Sequence, residues 1–143
     1  MHAAIKMFLV CLTAVLLAAC GEDSTSNGPR FEIVDEFEGE SEGDRRVLEH
    51  MRKAGADLSK ETDVRWYVYL PERASAETFA EKARAGGWTV AVREGADGTS
   101  WLALCSRAAV PAAETIRNMR KSLSAWGEGL EADVDGWEAA IQK

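Results

Sequence analysis

The chain has 143 residues, 17 Lys and Arg against 24 Asp and Glu, and a formal charge of −7. That acidity argues against nucleic-acid binding, because non-specific affinity for nucleic acid comes from neutralising phosphates. Past residue 20 the chain keeps one histidine, His50, and one cysteine, Cys105, which cannot make up a Cys/His zinc set and offer no members for a Ser-His-Asp triad, so no metal, no cofactor and no catalytic constellation is expected.

The first twenty residues set the compartment. Lys6 is followed by the uncharged run Met7 to Ala19, and Leu17-Ala18-Ala19 leads into Cys20, the spacing of a lipoprotein signal cleaved just before the cysteine. About 13 uncharged residues are too short for a transmembrane helix, which needs ~20. Residues 1–19 are therefore expected to leave as a signal peptide, with Cys20 becoming the lipidated first residue of a chain held by several acyl groups. Gly21, in place of Asp, favours the outer membrane, on the periplasmic side. Only Lys6 is lost among the charged residues, leaving 16 basic against 24 acidic, a net of −8. Cys11 leaves with the signal and Cys20 is lipidated, so Cys105 stands alone and forms no intramolecular disulfide.

Residues 20–43 read as a lipidated flexible tether, rich in Gly, Ser, Asp and Glu, with Gly28-Pro29 as a breaker. Phe31, Ile33, Val34 and Phe37 interrupt it at a spacing that suits a short strand or a docking segment, but the surrounding acids favour a linker. One domain follows over residues 44–143, close to the commonest domain size.

Asp44 is placed to cap a helix with Val47, Leu48 and Met51 on one side and Gly55 as its terminator. The stretch Asp63 to Pro71 alternates with a period of two, which predicts the central strand, with Val64, Trp66, Val68 and Leu70 under helices and Arg65, Tyr67 and Tyr69 on the other, wetter face. Ser75 is expected to cap a second helix carrying Ala76, Phe79, Ala80 and Ala83, closed by Gly86-Gly87. Trp88, Val90 and Val92 predict a second strand, Glu94 to Thr99 a hairpin, and Trp101 to Cys105 a third strand antiparallel to it. Pro111 suits the first turn of a last helix whose apolar positions are Ala113, Ile116, Met119, Leu123 and Trp126, stopped by Gly127 and Gly129. Asp133 to Ile141 then forms either an edge strand or an irregular tail pinned by Trp137. This order predicts an α+β domain, a ferredoxin-like split βαβ sandwich with an antiparallel sheet, helices on one face and an extra N-terminal helix.

The run Gly55-Ala56-Asp57-Leu58-Ser59-Lys60 before an aromatic strand, Gly87-Trp88 opening the next, Trp101 in the third and Asp135-Gly136-Trp137-Glu138 at the end together resemble the family of regulators of ribonuclease E activity B (RraB). The resemblance covers residues 44–143 and implies the same ferredoxin-like sandwich and an activity of protein binding. A cytoplasmic member of that family binds a regulatory region of an endoribonuclease and restrains RNA cleavage. Two departures set this chain apart: Val134 stands where the family often has tyrosine, and a lipobox heads the chain. The ribonuclease is the expected partner only of a cytosolic chain, whereas a lipid-anchored one is expected to meet an envelope or secreted protein.

The expected activity is thus that of a membrane-tethered, monomeric, non-catalytic regulator that occludes a protein partner with Arg65, Tyr67 and Tyr69 on the open sheet face and with the Asp135 to Trp137 tail. Trp137 has a second reading, as a plug of the sheet, and Asp133 with Asp135 reads as a solvated pair. Cys105 reads as a small buried hydrophobe. The alternative of another class is an envelope small-ligand carrier or enzyme, which needs a pocket between sheet and helices.

Overall fold

The computed structural model describes residues 41–143, so the signal peptide, Cys20 and the tether as far as residue 40 lie outside the described residues. The elements run α1 (Glu42–Lys53), β1 (Thr62–Leu70), α2 (Arg73–Ala85), β2 (Thr89–Glu94), β3 (Trp101–Ala109), α3 (Ala113–Gly127) and β4 (Asp133–Ala139). Every strand pairing is antiparallel, in the order β2-β3-β1-β4. β1 and β2, joined across α2, lie one strand apart, as the split βαβ arrangement requires.

β1 is central because its alternation gives it one fully apolar face. Val64, Trp66, Val68 and Leu70 are all 1% exposed or less, and each large side chain taken out of water contributes about 1.5–3 kcal/mol. Phe79 and the alanines of α2, Ile116, Met119 and Leu123 of α3, and Leu48 and Met51 of α1 join them in one core. Ala76, Ala80 and Ala83 are small enough to seat α2 close to the sheet, and Phe79 fills the remaining depth. With the helices gathered on that side, Arg65, Tyr67 and Tyr69 are left on the uncovered face.

Several boundaries differ from the sequence expectation. Ser41, not Asp44, caps α1: its Oγ accepts from the Asp44 N–H at 3.2 Å, and Ser41 to Gly43 thus belong to the domain and not to the tether. Ser75 does not cap α2, which starts two residues earlier behind Glu72 as soon as Pro71 has ended the strand. β3 runs four residues past Cys105, because β1 offers it a partner at every position from Leu70↔Trp101 to Thr62↔Ala109. Pro111 precedes α3 and lies buried, with Ala112 at the cap position.

The C-terminal segment is a strand at the sheet edge with a bulge. Tyr67 pairs with Gly136 but Val68 pairs with Val134, so Asp135 is the extra residue. Residues three apart in a regular strand face opposite ways. The bulge removes that difference and sets Val134 and Trp137 both opposite core-facing residues of β1, with Asp133 and Gly136 opposite the open-face Tyr69 and Tyr67.

The hairpin between β2 and β3 is tied by one side chain. Asp97 Oδ1 accepts from the N–H groups of Thr99 and Ser100 at 3.0 Å and from Ser100 Oγ at 2.9 Å. These donors, the Thr99 backbone first, hold the Asp97 carboxyl down at about 2.

Candidate protein-binding surface

Tyr67 and Tyr69 stand on the open face of β1 between two neighbours of different size. On the β3 side they pair with Leu104 and Leu102; on the β4 side they pair with Gly136 and Asp133. Gly136 has no side chain and nothing within 4 Å of its missing Cβ, which leaves the Tyr67 ring an unobstructed flank. Tyr67, Tyr69 and Arg93 border a shallow depression of about 370 Å³ whose lining includes Leu102, itself only 4% exposed. The open face is therefore an aromatic and aliphatic platform, not a purely polar one.

Charged groups frame it. Arg65 Nε donates to Asp63 Oδ2 at 2.8 Å, and its Nη1 lies 3.9 Å from Glu138 Oε1. Burial, and then the hydrogen bond it donates to Glu138, push the Tyr67 phenol above its ordinary value, so it is a neutral donor throughout the physiological range. Asp135, the bulge residue, is exposed at the margin of the sheet.

Trp137 is not part of this surface. It is 6% exposed, lies on the core side opposite Trp66, and stacks with it at 6.1 Å between ring centroids and 28° between planes. Its Nε1 donates to Asp44 Oδ1 at 3.0 Å. The same carboxylate receives Arg120 from two directions, Nε to Oδ2 at 2.6 Å and Nη2 to Oδ1 at 2.7 Å, a bidentate charge-assisted pair. Arg120 Nη1 donates to the Val134 carbonyl at 3.0 Å, and its guanidinium lies 5.0 Å from the centroid of the Trp66 ring. One clasp thus joins α1, α3, β4 and β1. The bulge serves it, since it sets Val134 and Trp137 both on the core side of the strand, where the Val134 carbonyl accepts from Arg120 and the Trp137 indole donates to Asp44.

As a surface anchor Trp137 is therefore replaced by the plug reading. Arg65, Tyr67 and Tyr69 are brought together, with Asp135 at their edge, while Trp137 acts from beneath. The partners of Trp137 carried a weak signal in the sequence: Asp44 sits one helical turn before Leu48, and Arg120 one turn after Ile116. Each is a charged residue on an otherwise apolar stripe. Among the described residues no group of three or more His, Cys, Asp or Glu is arranged to hold a metal ion, and no helix is long and apolar enough to cross a membrane.

The chain is thus an α+β domain, a split βαβ sandwich that closes its polar cluster inside the core and leaves an aromatic sheet face outside. The match to known families makes the class specific. The family model described as "RraB: Regulator of ribonuclease activity B" covers residues 41–139, and the chain belongs to this family. Membership carries a regulatory, protein-binding role at the level of the family. No curated protein matches the chain.

Proposed function

We propose that this protein is a membrane-tethered, non-catalytic regulator that binds a protein partner on the open face of its sheet, through Arg65, Tyr67 and Tyr69 with Asp135 at the margin. The observation that carries the reading is the placement of two tyrosines, Leu102 and Leu104 on the one sheet face that the helices leave bare. Tyrosine and arginine are the residue types that concentrate binding energy at interfaces. Four strands ~4.8 Å apart and up to nine residues long give a face of several hundred Å², most of the ~800 Å² that one side of a standard interface occupies. Regulation then needs no chemistry: covering the partner's surface is sufficient.

The anchor is a lipid on Cys20, and the partner is accordingly an envelope or secreted protein; a ribonuclease is reached only if the chain stays in the cytosol. Supporting this is the Leu17-Ala18-Ala19-Cys20 run before a Gly/Ser-rich acidic segment. Cys20→Ser should abolish labelling by a radioactive fatty acid, and undiminished labelling would rule the anchor out. For the surface, a photo-crosslinking residue at position 69 of the full chain should trap a discrete partner in cells, whereas one at Lys121, on the exposed side of α3, should not. Equal trapping at both positions, or at neither, would defeat the sheet-face reading.

A further inference from the structure

The helices over the sheet leave one corner of its helix-side face uncovered. Arg107 is registered with Val64 and so stands on the helix side of β3, yet it is exposed. Beside it lies Trp88, 5% exposed, at the entry to β2. Over this floor runs one stripe of α3 that includes Asn118, Met119, Ser122 and Trp126, and between them is a cleft of about 500 Å³. Its far end is closed by Trp126 lying against Gly86. A Cβ at Gly86 would meet that ring at 2.4 Å, so the absence of a side chain there is what allows the edge of the indole to close on the end of α2. Lys82 Nζ donates to the Trp126 carbonyl at 3.3 Å and ties the end of α3 to α2.

The chemistry of the cleft is one-sided. Two tryptophans and a methionine supply apolar walls suited to a flat or branched side chain, the methionine adapting to its shape. Arg107 is the single charged residue of the lining, and among the described residues no carboxylate pairs with it. An arginine on an apolar floor in an otherwise acidic chain is complementary to an anionic ligand. The volume lies within the ~300–1,000 Å³ range of ligand sites, but such sites enclose most of their ligand, and here Arg107, Asn118 and Ser122 are exposed along the rim. That shape suits an inserted side chain with its flanking backbone outside, not an engulfed metabolite.

We infer that the Trp88–Trp126 cleft is an anchor site for an acidic segment of a protein partner, taking one aromatic or aliphatic side chain between the tryptophans while a neighbouring carboxylate pairs with Arg107. This rests on the reading of the domain as protein-binding, though not on the sheet face as its surface, which lies on the other side of the sheet.

The test uses the full chain labelled with ¹⁵N and two probe peptides, acetyl-Ser-Glu-Phe-Glu-Ser-amide and acetyl-Ser-Lys-Phe-Lys-Ser-amide, titrated by NMR. The acidic peptide should shift the indole N–H signals of Trp88 and Trp126 saturably and bind at least tenfold more tightly than the basic one. Arg107→Glu should weaken the acidic peptide at least tenfold, and Ser122→Tyr, which fills the cleft from an exposed position, should abolish its binding, the rest of each spectrum confirming the fold. The Tyr67→Ala/Tyr69→Ala double variant should bind the peptide as wild type does. Unmoved indoles, equal affinity for both peptides, or binding that survives Ser122→Tyr would overturn the inference. Loss of peptide binding in the tyrosine variant would also overturn it while leaving the sheet-face proposal standing. Failure of the position-69 crosslink with cleft binding intact would do the reverse.

Discussion

Arg120→Met should be more damaging than Asp44→Ala, although the two residues are partners in one ion pair. The Asp44 side chain is 2% exposed and that of Arg120 27%. Removing the guanidinium leaves the carboxylate, among the described residues, with only the Trp137 indole as side-chain donor; it also frees the Val134 carbonyl and takes the cation off the Trp66 ring. Removing one partner of a buried pair costs about 3–5 kcal/mol, and Arg120→Met, which keeps the packing of the stem, should fall in that range. Asp44→Ala leaves a guanidinium that keeps its bond to Val134 and turns toward solvent, but it orphans the buried Trp137 N–H, so about 2–3 kcal/mol is expected, the scale of one buried polar group left without a partner. Because neither variant leaves the other's contact intact, the double variant should cost less than the sum of the singles by at least ~1 kcal/mol. Urea unfolding followed by tryptophan emission measures all three, and losses of this size are a large fraction of a typical domain stability of about 5–15 kcal/mol. Additive single losses, or an Arg120→Met loss below about 1 kcal/mol, would refute the clasp as the element that holds α1 and α3 to β4.

Three further outcomes are expected. Trp66→Ala should cost about 3–5 kcal/mol and Tyr67→Ala about 1 kcal/mol in denaturant melts, since one side chain is fully buried and the other half-exposed; equal losses would mean that both sheet faces are covered. Burial pushes the Cys105 thiol from its ordinary 9.0 to about 12, so native protein should resist maleimide at pH 8 while urea-unfolded protein reacts at once. With the native thiol holding its proton more tightly than the unfolded one, this residue's contribution is intact below about pH 9 and lost as pH rises toward 12, which an alkaline melt series checks. Gly127→Ala would place a Cβ 2.5 Å from the Cβ of Ala132, an atom fixed to the backbone, so about 1–3 kcal/mol of overpacking should appear as a lower urea midpoint.

Much of the fold was legible without coordinates because burial writes a period into the chain. The two-residue alternation of Val64, Trp66, Val68 and Leu70 identified the central strand and its covered face, and the recurrence of Ile116, Met119 and Leu123 identified α3. The same alternation brought Arg65, Tyr67 and Tyr69 together on the open face. These are properties of single elements against an average interior, and local pattern is sufficient to state them.

What the tertiary structure alone decided involves partners far apart in the chain. Asp44 and Arg120 are 76 positions apart, and Asp44 and Trp137 are 93 apart. By itself Asp44 has the composition of a helix cap and Arg120 that of a solvated helix residue, and the two are affordable in the core only because each satisfies the other. The Asp135 bulge is equally invisible in isolation, because an extra residue is defined by the strand opposite it. That bulge turns Trp137 inward and leaves Gly136 beside Tyr67. The uncovered corner at Arg107 follows from the same cause: its exposure depends on where α2 and α3 come to rest over the sheet, which no period in β3 records.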